Sequence, residues 1–148
     1  VEVSIKQIWA LSASGRLREW RKLRHELEES SSNQFIKTYE WWTQAPAVRR
    51  TFDPWKVPTW PNPWNLLYAE DYCPNSIVLG IYYTLKLAGV DINNISLCIV
   101  NDIEQRHNCL AINVDNRTLF LYNKQLDYDS ENVEVLKTFD SEELGNLF

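Results

Sequence analysis

The residues on either side of Gly89 obey different periodicities, and that change limits the chain to few folds. Before it, Ile77, Val78, Ile81, Tyr82 and Leu85 recur at helical spacing through Ile77–Ala88. Gly89 then stands where a left-handed residue ends a helix. After it the period is two. Ile95–Val100, His107–Val114 and Thr118–Tyr122 read as strands, and Asp115-Asn116-Arg117 supplies the tight turn of an antiparallel hairpin between the last two. Val133–Phe139 reads as a fourth strand, and Asp140-Ser141 caps a terminal helical turn from Glu142 to Leu147. A buried helix followed by a small antiparallel sheet is an α+β arrangement.

Upstream, the pattern predicts a helical hairpin. Arg16–Glu29 carries Leu17, Trp20, Leu23 and Leu27 as one stripe, with Trp9 nearby and Ser14 as a candidate N-cap. The serine tract 28–33 breaks this helix, and Phe35, Ile36, Tyr39 and Trp42 form one face of a second over Asn33–Thr43. Residues 3–11 suit a strand or a helix equally. All seven tryptophans lie in the first 64 residues and all six prolines between Pro46 and Pro74. Over 45–64 the prolines forbid helix interiors and central strands. Phe52, Trp55, Trp60 and Trp64 nevertheless make this stretch too apolar for a solvated linker, so it reads as an ordered, anchored loop. Asn62-Pro63 then starts a short helix through Leu66, Leu67 and Ala69. Length and pattern together give a single domain over 1–148: a helical N-terminal region over 1–44, an aromatic and proline loop over 45–64, and a helix and sheet core over 65–148.

Charge is uneven too. Residues 1–56 hold 10 Lys and Arg against 7 Asp and Glu, while residues 57–148 hold 5 against 13. A net charge of −5 argues against general nucleic-acid binding, which needs clustered cations. The basic cluster Arg16, Arg18, Arg21, Lys22 and Arg24 is interleaved with Glu19, Glu26, Glu28 and Glu29, the pattern of a solvated helix face or of an electropositive docking face. No apolar run approaches the ~20 residues of a membrane span, and Val1–Lys6 has no secretory pattern. Three cysteines at irregular spacing suit a reducing compartment. The expectation is a cytoplasmic or particle-associated protein with protein partners, no nucleic acid and no membrane. No P-loop, dinucleotide loop or zinc-protease motif occurs, so no cofactor is expected. Cys98, His107 and Cys109 do not match a zinc spacing, and no metal is expected either.

The chemistry-bearing constellation begins at Cys73. Cys73-Pro74-Asn75-Ser76 places a thiol at the N-cap of the buried helix, where free amides and the helix dipole favour the thiolate. The amides of Asn75 and Ser76 point at it. Glu70 and Asp71, just upstream, work against a thiolate, or else Asp71 adds only solvated charge. His107 opens the second strand. If the hairpin turns at 115–117, Asn123 comes back to the same end and can fix the His107 tautomer. Thiolate, imidazole and amide together are the Cys-His-Asn arrangement of cysteine hydrolases. The plainer roles are a capping cysteine, a strand histidine and a turn-forming asparagine.

This order resembles the transglutaminase-like branch of the papain-like superfamily over roughly Trp60 to Lys124. The resemblance implies Cys73 as nucleophile, His107 as base and Asn123 as orienter, with the Cys73 N–H and Trp60 or Trp64 forming an oxyanion site. It departs from the family at Cys109, where an aromatic is common, and in having Asn rather than Asp in the third role. Separately, the run WPNPWNLLYAEDYCPNSIVLGIYYTLKLAG is similar to small proteins encoded among structural genes of tailed bacteriophages. Two functions follow as expectations. One is a transglutaminase-like cysteine hydrolase or acyltransferase, phage-encoded. The other is a non-catalytic structural or assembly protein of a tailed-phage virion (neck, tail or baseplate), docking through its Trp-rich N-terminal half.

Overall fold

A computed structural model describes residues 5–47, 52–69 and 72–145. Glu70 and Asp71, expected to bear on the Cys73 thiol, lie outside the described residues, as does the end of the expected terminal turn.

The N-terminal region is helical: α1 (Ile5–Ile8), α2 (Ala13–Glu29) and α3 (Gln34–Thr43). The ambiguous first segment is thus a helix where it is described. Ser12, not Ser14, caps α2, its side chain accepting from the Gly15 amide. Trp20, Leu23 and Leu27 bury the predicted stripe. Arg16 does not belong to a solvated face. It is buried, donating from Nε to the Leu67 carbonyl and from Nη2 to that of Ala69, so it ties α2 to the end of the short helix over Pro63–Tyr68. Burying a guanidinium is tolerable because these carbonyls replace its water.

The loop that follows holds a 3₁₀ turn at Val57–Thr59 and then enters α4 (Pro63–Tyr68), capped by Asn62 as the Asn-Pro pair predicts. Its anchors divide. Trp60 is buried against Phe52 and Phe139, whereas Trp55 and Trp64 stay about half exposed. Helix α5 (Pro74–Leu87) is buried along nearly its whole length, and Gly89 ends it at φ +72°.

The strands are β1 (Ile95–Asp102), β2 (His107–Val114), β3 (Thr118–Phe120), β4 (Gln125–Asp127) and β5 (Val133–Thr138), in the antiparallel order β4-β3-β2-β1-β5. A short helix α6 (Ser141–Leu144) follows with a capping box between Asp140 and Glu143. Asp115 and Asn116 both adopt positive φ, as a tight hairpin turn demands. The sequence pattern missed β4 and drew β3 two residues too long, because the chain reverses at once: the Leu121 N–H bonds the Lys124 carbonyl at 2.8 Å.

Strand alternation separates two apolar faces. Leu97, Ile99, Leu110 and Ile112 pack with α5 and the helices, while Cys98, Val100, Cys109 and Ala111 pack with Leu119, Leu121 and Val133 on the far side. The helical layer closes over α5 through indoles. Trp20 and Trp42 are fully buried and both donate to the Thr84 hydroxyl, at 2.8 and 2.9 Å. Trp41 and Trp60 are buried as well, so most of the tryptophans serve this one core. No helix among the described residues is long and apolar enough to cross a membrane.

Candidate active site

Cys73 is the N-cap of α5, as its sequence predicts. Its extended backbone lets Sγ accept from the Ser76 amide at 3.4 Å, and the Ser76 hydroxyl lies at the same distance. Pro74 occupies the first helical position, where a missing N–H costs nothing. A helix start offers positive potential to a thiolate. Here the residue carrying it is fully buried (0% exposed).

The neighbouring side chain fixes the site's outer wall. Asn75 is buried and accepts from the Leu110 amide of β2 at 3.0 Å through Oδ1, while its Nδ2 reaches the Phe52 carbonyl at 3.4 Å. Leu110 needs that partner because β3 has already left. The β2–β3 ladder ends at Ile112↔Phe120, and beyond it the 121–124 turn swings away. The N-terminal half of β2 therefore has no strand on that side. A cleft of about 160 Å³ opens there, with Pro74, Asp102, His107, Cys109, Asn123 and Lys124 among its walls.

The structure brings two of the three expected site residues into this cleft. His107, at the first position of β2, and Asn123, on the turn, both line it and are exposed. Asn123 gets there by the 121–124 turn and not at the end of a continuous strand, which corrects its expected setting. Cys73 sits behind the cleft: Pro74 lines it, the thiol does not. Strand alternation assigns His107 to the face of Cys109 and Ala111, opposite the face on which α5 packs. The cleft is where the two faces meet at the sheet's end.

The expected oxyanion tryptophans are engaged elsewhere. The Trp60 indole N–H bonds the Asp53 carbonyl at 3.3 Å, and Trp64 stands edge-on to Trp20 with the Arg24 guanidinium nearby.

Sequence reasoning passed over Asp102. It pairs directly opposite His107 across β1 and β2, it is buried, and its Oδ2 meets the Lys124 ammonium at 2.9 Å. Burial alone would raise its pKa. The Lys124 bond, a bond from the Gln105 amide and the Lys124 and His107 charges outweigh that and hold it below the usual carboxylate range. Lys124 is raised in turn, chiefly by its bond to Asp102. The available signal was the parity of β1: Asp102 continues the series Cys98, Val100 on the buried far face and so had to be partnered. Cys98 lies deep on the same face, where burial, with Cys109 beside it, pushes its thiol up to about 12.

The same fold occurs in solved structures of another protein. LapG of Legionella pneumophila superposes with a TM-score of 0.70 at 14% identity, over 94% of this chain and 83% of that one. Its calcium-bound form gives a TM-score of 0.71 at 14% identity, covering 95% and 86%.

The fold is transglutaminase-like.

It is the fold seen in LapG, and the α+β expectation holds with it. No family model and no curated protein matches the sequence. LapG comes from a bacterium, so a phage source rests on the sequence resemblance alone. Among the described residues, no group of three or more His, Cys, Asp or Glu is placed to hold a metal ion. Around the start of α5 the donors are a thiol, an amide and a hydroxyl, the thiol and hydroxyl in mutual contact and the amide oxygen held by Leu110. Calcium takes about six to eight oxygens, carboxylates foremost. The described residues at the start of α5 do not by themselves fit a calcium ion.

Proposed function

We propose that the chain is a cysteine hydrolase or acyltransferase of the transglutaminase-like fold, acting through Cys73, His107 and Asn123. The observation that carries this reading is the Ser76 N–H aimed at the Cys73 Sγ, at the head of a buried helix whose next residue walls the cleft shared by His107 and Asn123. In the reaction, His107 takes the Cys73 proton and Sγ attacks an amide or ester carbonyl. The tetrahedral intermediate collapses to a thioester as His107 returns that proton to the leaving amine or alcohol. Water or a second amine then releases the acyl group from Cys73 by the reverse exchange. Asn123 holds the imidazole in the tautomer this needs. The thiol is covered in the resting chain, so this reading requires the wall at Pro74 to open transiently in the free chain, to substrate and small alkylating reagents alike.

The test is alkylation. The folded protein is treated with iodoacetamide across pH and labelled thiols are located by peptide mapping. Cys73 labelling should rise with an inflection below the ~8.5 of a free thiol, and His107→Ala should move that inflection upward. If Cys73 stays unlabelled at neutral pH in the folded chain, or if His107→Ala leaves its profile untouched, the enzyme reading is lost.

A second reading has its own observation. Trp55, Trp64 and Tyr68 are exposed at 47%, 46% and 56%, all on the loop and short helix of the aromatic segment. Exposed aromatics are favoured at protein interfaces. In this reading the chain is a non-catalytic assembly protein of a tailed-phage particle. Replacing Trp55 and Trp64 by Ser would then abolish incorporation into the particle while leaving the fold intact. Unchanged incorporation rejects it.

A further inference from the structure

The proposed site has an exposed His107 on a strand and an exposed Asn123 on a turn, and something must keep the two together. Few described main-chain bonds hold the turn. It closes on its own Leu121–Lys124 bond, and the strands on either side, β3 and β4, are only three residues each. Short strands fray readily, and β4 is the edge of the sheet. The Tyr39 hydroxyl also donates to the Leu121 carbonyl at 3.0 Å, which secures the start of the turn and not its far end.

Lys124, immediately after Asn123, supplies the far anchor. Its ammonium lies 2.9 Å from Asp102 Oδ2 and 3.7 Å from Glu104 Oε2, and so bridges from the turn to the other end of the cleft. Asp102 is suited to receive it. The carboxylate is itself fixed, its Oδ1 accepting the Gln105 amide at 3.3 Å while its backbone carbonyl takes the Arg106 amide at 2.7 Å. It is also the direct cross-strand partner of His107, so the two side chains leave the same face of the sheet, roughly 5 Å apart at Cβ. At 3% exposure, Asp102 is a buried ionised group that the proposed reaction otherwise leaves without a role.

We propose that Asp102 is a positioning residue of the Cys73-His107-Asn123 site, which through Lys124 pins the 121–124 turn and thereby sets the Asn123 amide beside the imidazole. The proposal rests on the enzyme reading above. The titratable groups around His107 are then Asp102 from β1, Lys124 from the turn, Cys109 two residues along its own strand, and Glu104 reaching Lys124 from the β1–β2 loop. An ion pair, and not a lone carboxylate, faces the ring. Asp102 therefore acts chiefly by fixing geometry, with its charge largely matched by Lys124.

The experiment is Cys73 alkylation against pH in the full chain, comparing wild type with His107→Ala, Asn123→Ala, Lys124→Met, Lys124→Arg and Asp102→Asn. Native circular dichroism is checked for each, and Asp102→Asn, nearly isosteric, stands in should Lys124→Met fail to fold. Lys124→Met and Asp102→Asn should reproduce the Asn123→Ala profile, with Cys73 labelling near neutral pH down about tenfold, the effect of one unit in the thiolate inflection. Lys124→Arg, which keeps the ion pair, should retain the wild-type profile. If His107→Ala and Asn123→Ala alter the profile and the folded Lys124→Met and Asp102→Asn variants do not, the positioning role is overturned and the enzyme reading stands. If His107→Ala changes nothing, both fall. A Lys124→Arg profile matching that of Lys124→Met also counts against the clamp, since the charge alone would then not hold the turn.

Discussion

Asn75 Oδ1 accepts the Leu110 N–H at 3.0 Å, two residues past the proposed nucleophile and three past the proposed base. This bond joins the head of α5 to the one stretch of β2 that has lost its neighbouring strand. A side-chain amide thus replaces a ladder carbonyl, and the Leu110 donor is not left unpaired at the rim of the cleft. The same amide reaches the Phe52 carbonyl, so the aromatic loop, α5 and the sheet meet on a single buried residue.

Replacing Asn75 by Ala should accordingly destabilise the chain by about 1–3 kcal/mol, the cost of leaving a buried amide unsatisfied. Asn75→Asp keeps an acceptor for Leu110 and should cost less at a pH where the carboxyl is protonated. Urea denaturation of both variants, monitored by tryptophan emission, checks the order.

The Asp102–Lys124 pair predicts a pH window. Asp102 has a folded pKa below its unfolded value, so its contribution is present above the unfolded pKa of ~3.9 and is lost as pH falls through the lower folded value. Lys124 has a raised folded pKa, so its contribution is full below an unfolded value of ~10.4 and disappears as pH rises through the folded one. Across the neutral range the pair is therefore intact. Lys124→Met, which strands a buried carboxylate, should cost about 3 kcal/mol there and less as pH drops toward acid. Thermal unfolding of wild type and variant at neutral pH and near pH 3 measures the difference. A Lys124→Met penalty that grows toward acid contradicts this assignment.

The three thiols should separate by reactivity. Cys98 is buried on the far face of the sheet with its thiol pushed up to about 12. In the folded protein it should remain unlabelled by iodoacetamide at pH values where denatured chain labels fully. Mapping labelled peptides before and after urea treatment shows this directly, and native-state labelling of Cys98 at neutral pH disproves it.

Much of this architecture was legible from sequence, for identifiable reasons. Local signals with a mechanism came through. Asn62-Pro63 and Cys73-Pro74 start helices, Gly89 stops one, and β2 runs over the predicted residues. What failed was non-local. The fate of Arg16 depends on the carbonyls of Leu67 and Ala69, far along the chain, which no charge pattern on α2 reveals. The setting of Asn123 depends on β3 stopping at Phe120 to reverse into β4, where a period-two pattern simply continues. The weight of the site shifts with it, since alternation alone could have placed His107 with Asp102 and away from α5. The hairpin turn fixes only that His107 and Asn123 share one end of the sheet, and not which face either takes.

The densest part of the helical core makes the last prediction. The Thr84 hydroxyl accepts from both the Trp20 and Trp42 indoles and itself donates to the Gly80 carbonyl at 2.6 Å, so three buried polar groups are satisfied around one oxygen. Gly80 belongs to the same cluster: a Cβ placed there lies 2.6 Å from three carbons of the Trp42 ring, far inside contact distance. Thr84→Val is nearly isosteric and removes only the hydroxyl. It leaves two indole N–H groups buried without acceptors, and at about 1–3 kcal/mol for each the chain should lose roughly 3 kcal/mol. Thr84→Ser keeps the oxygen and should lose much less, despite the missing methyl. Gly80→Ala should be as harmful as Thr84→Val for a different reason, since the rigid indole cannot yield without giving up its bond to Thr84. Chemical denaturation of the three variants distinguishes the cases: Thr84→Val no worse than Thr84→Ser would mean that the indoles find other acceptors, and that the shared hydroxyl is not what holds α2 and α3 onto α5.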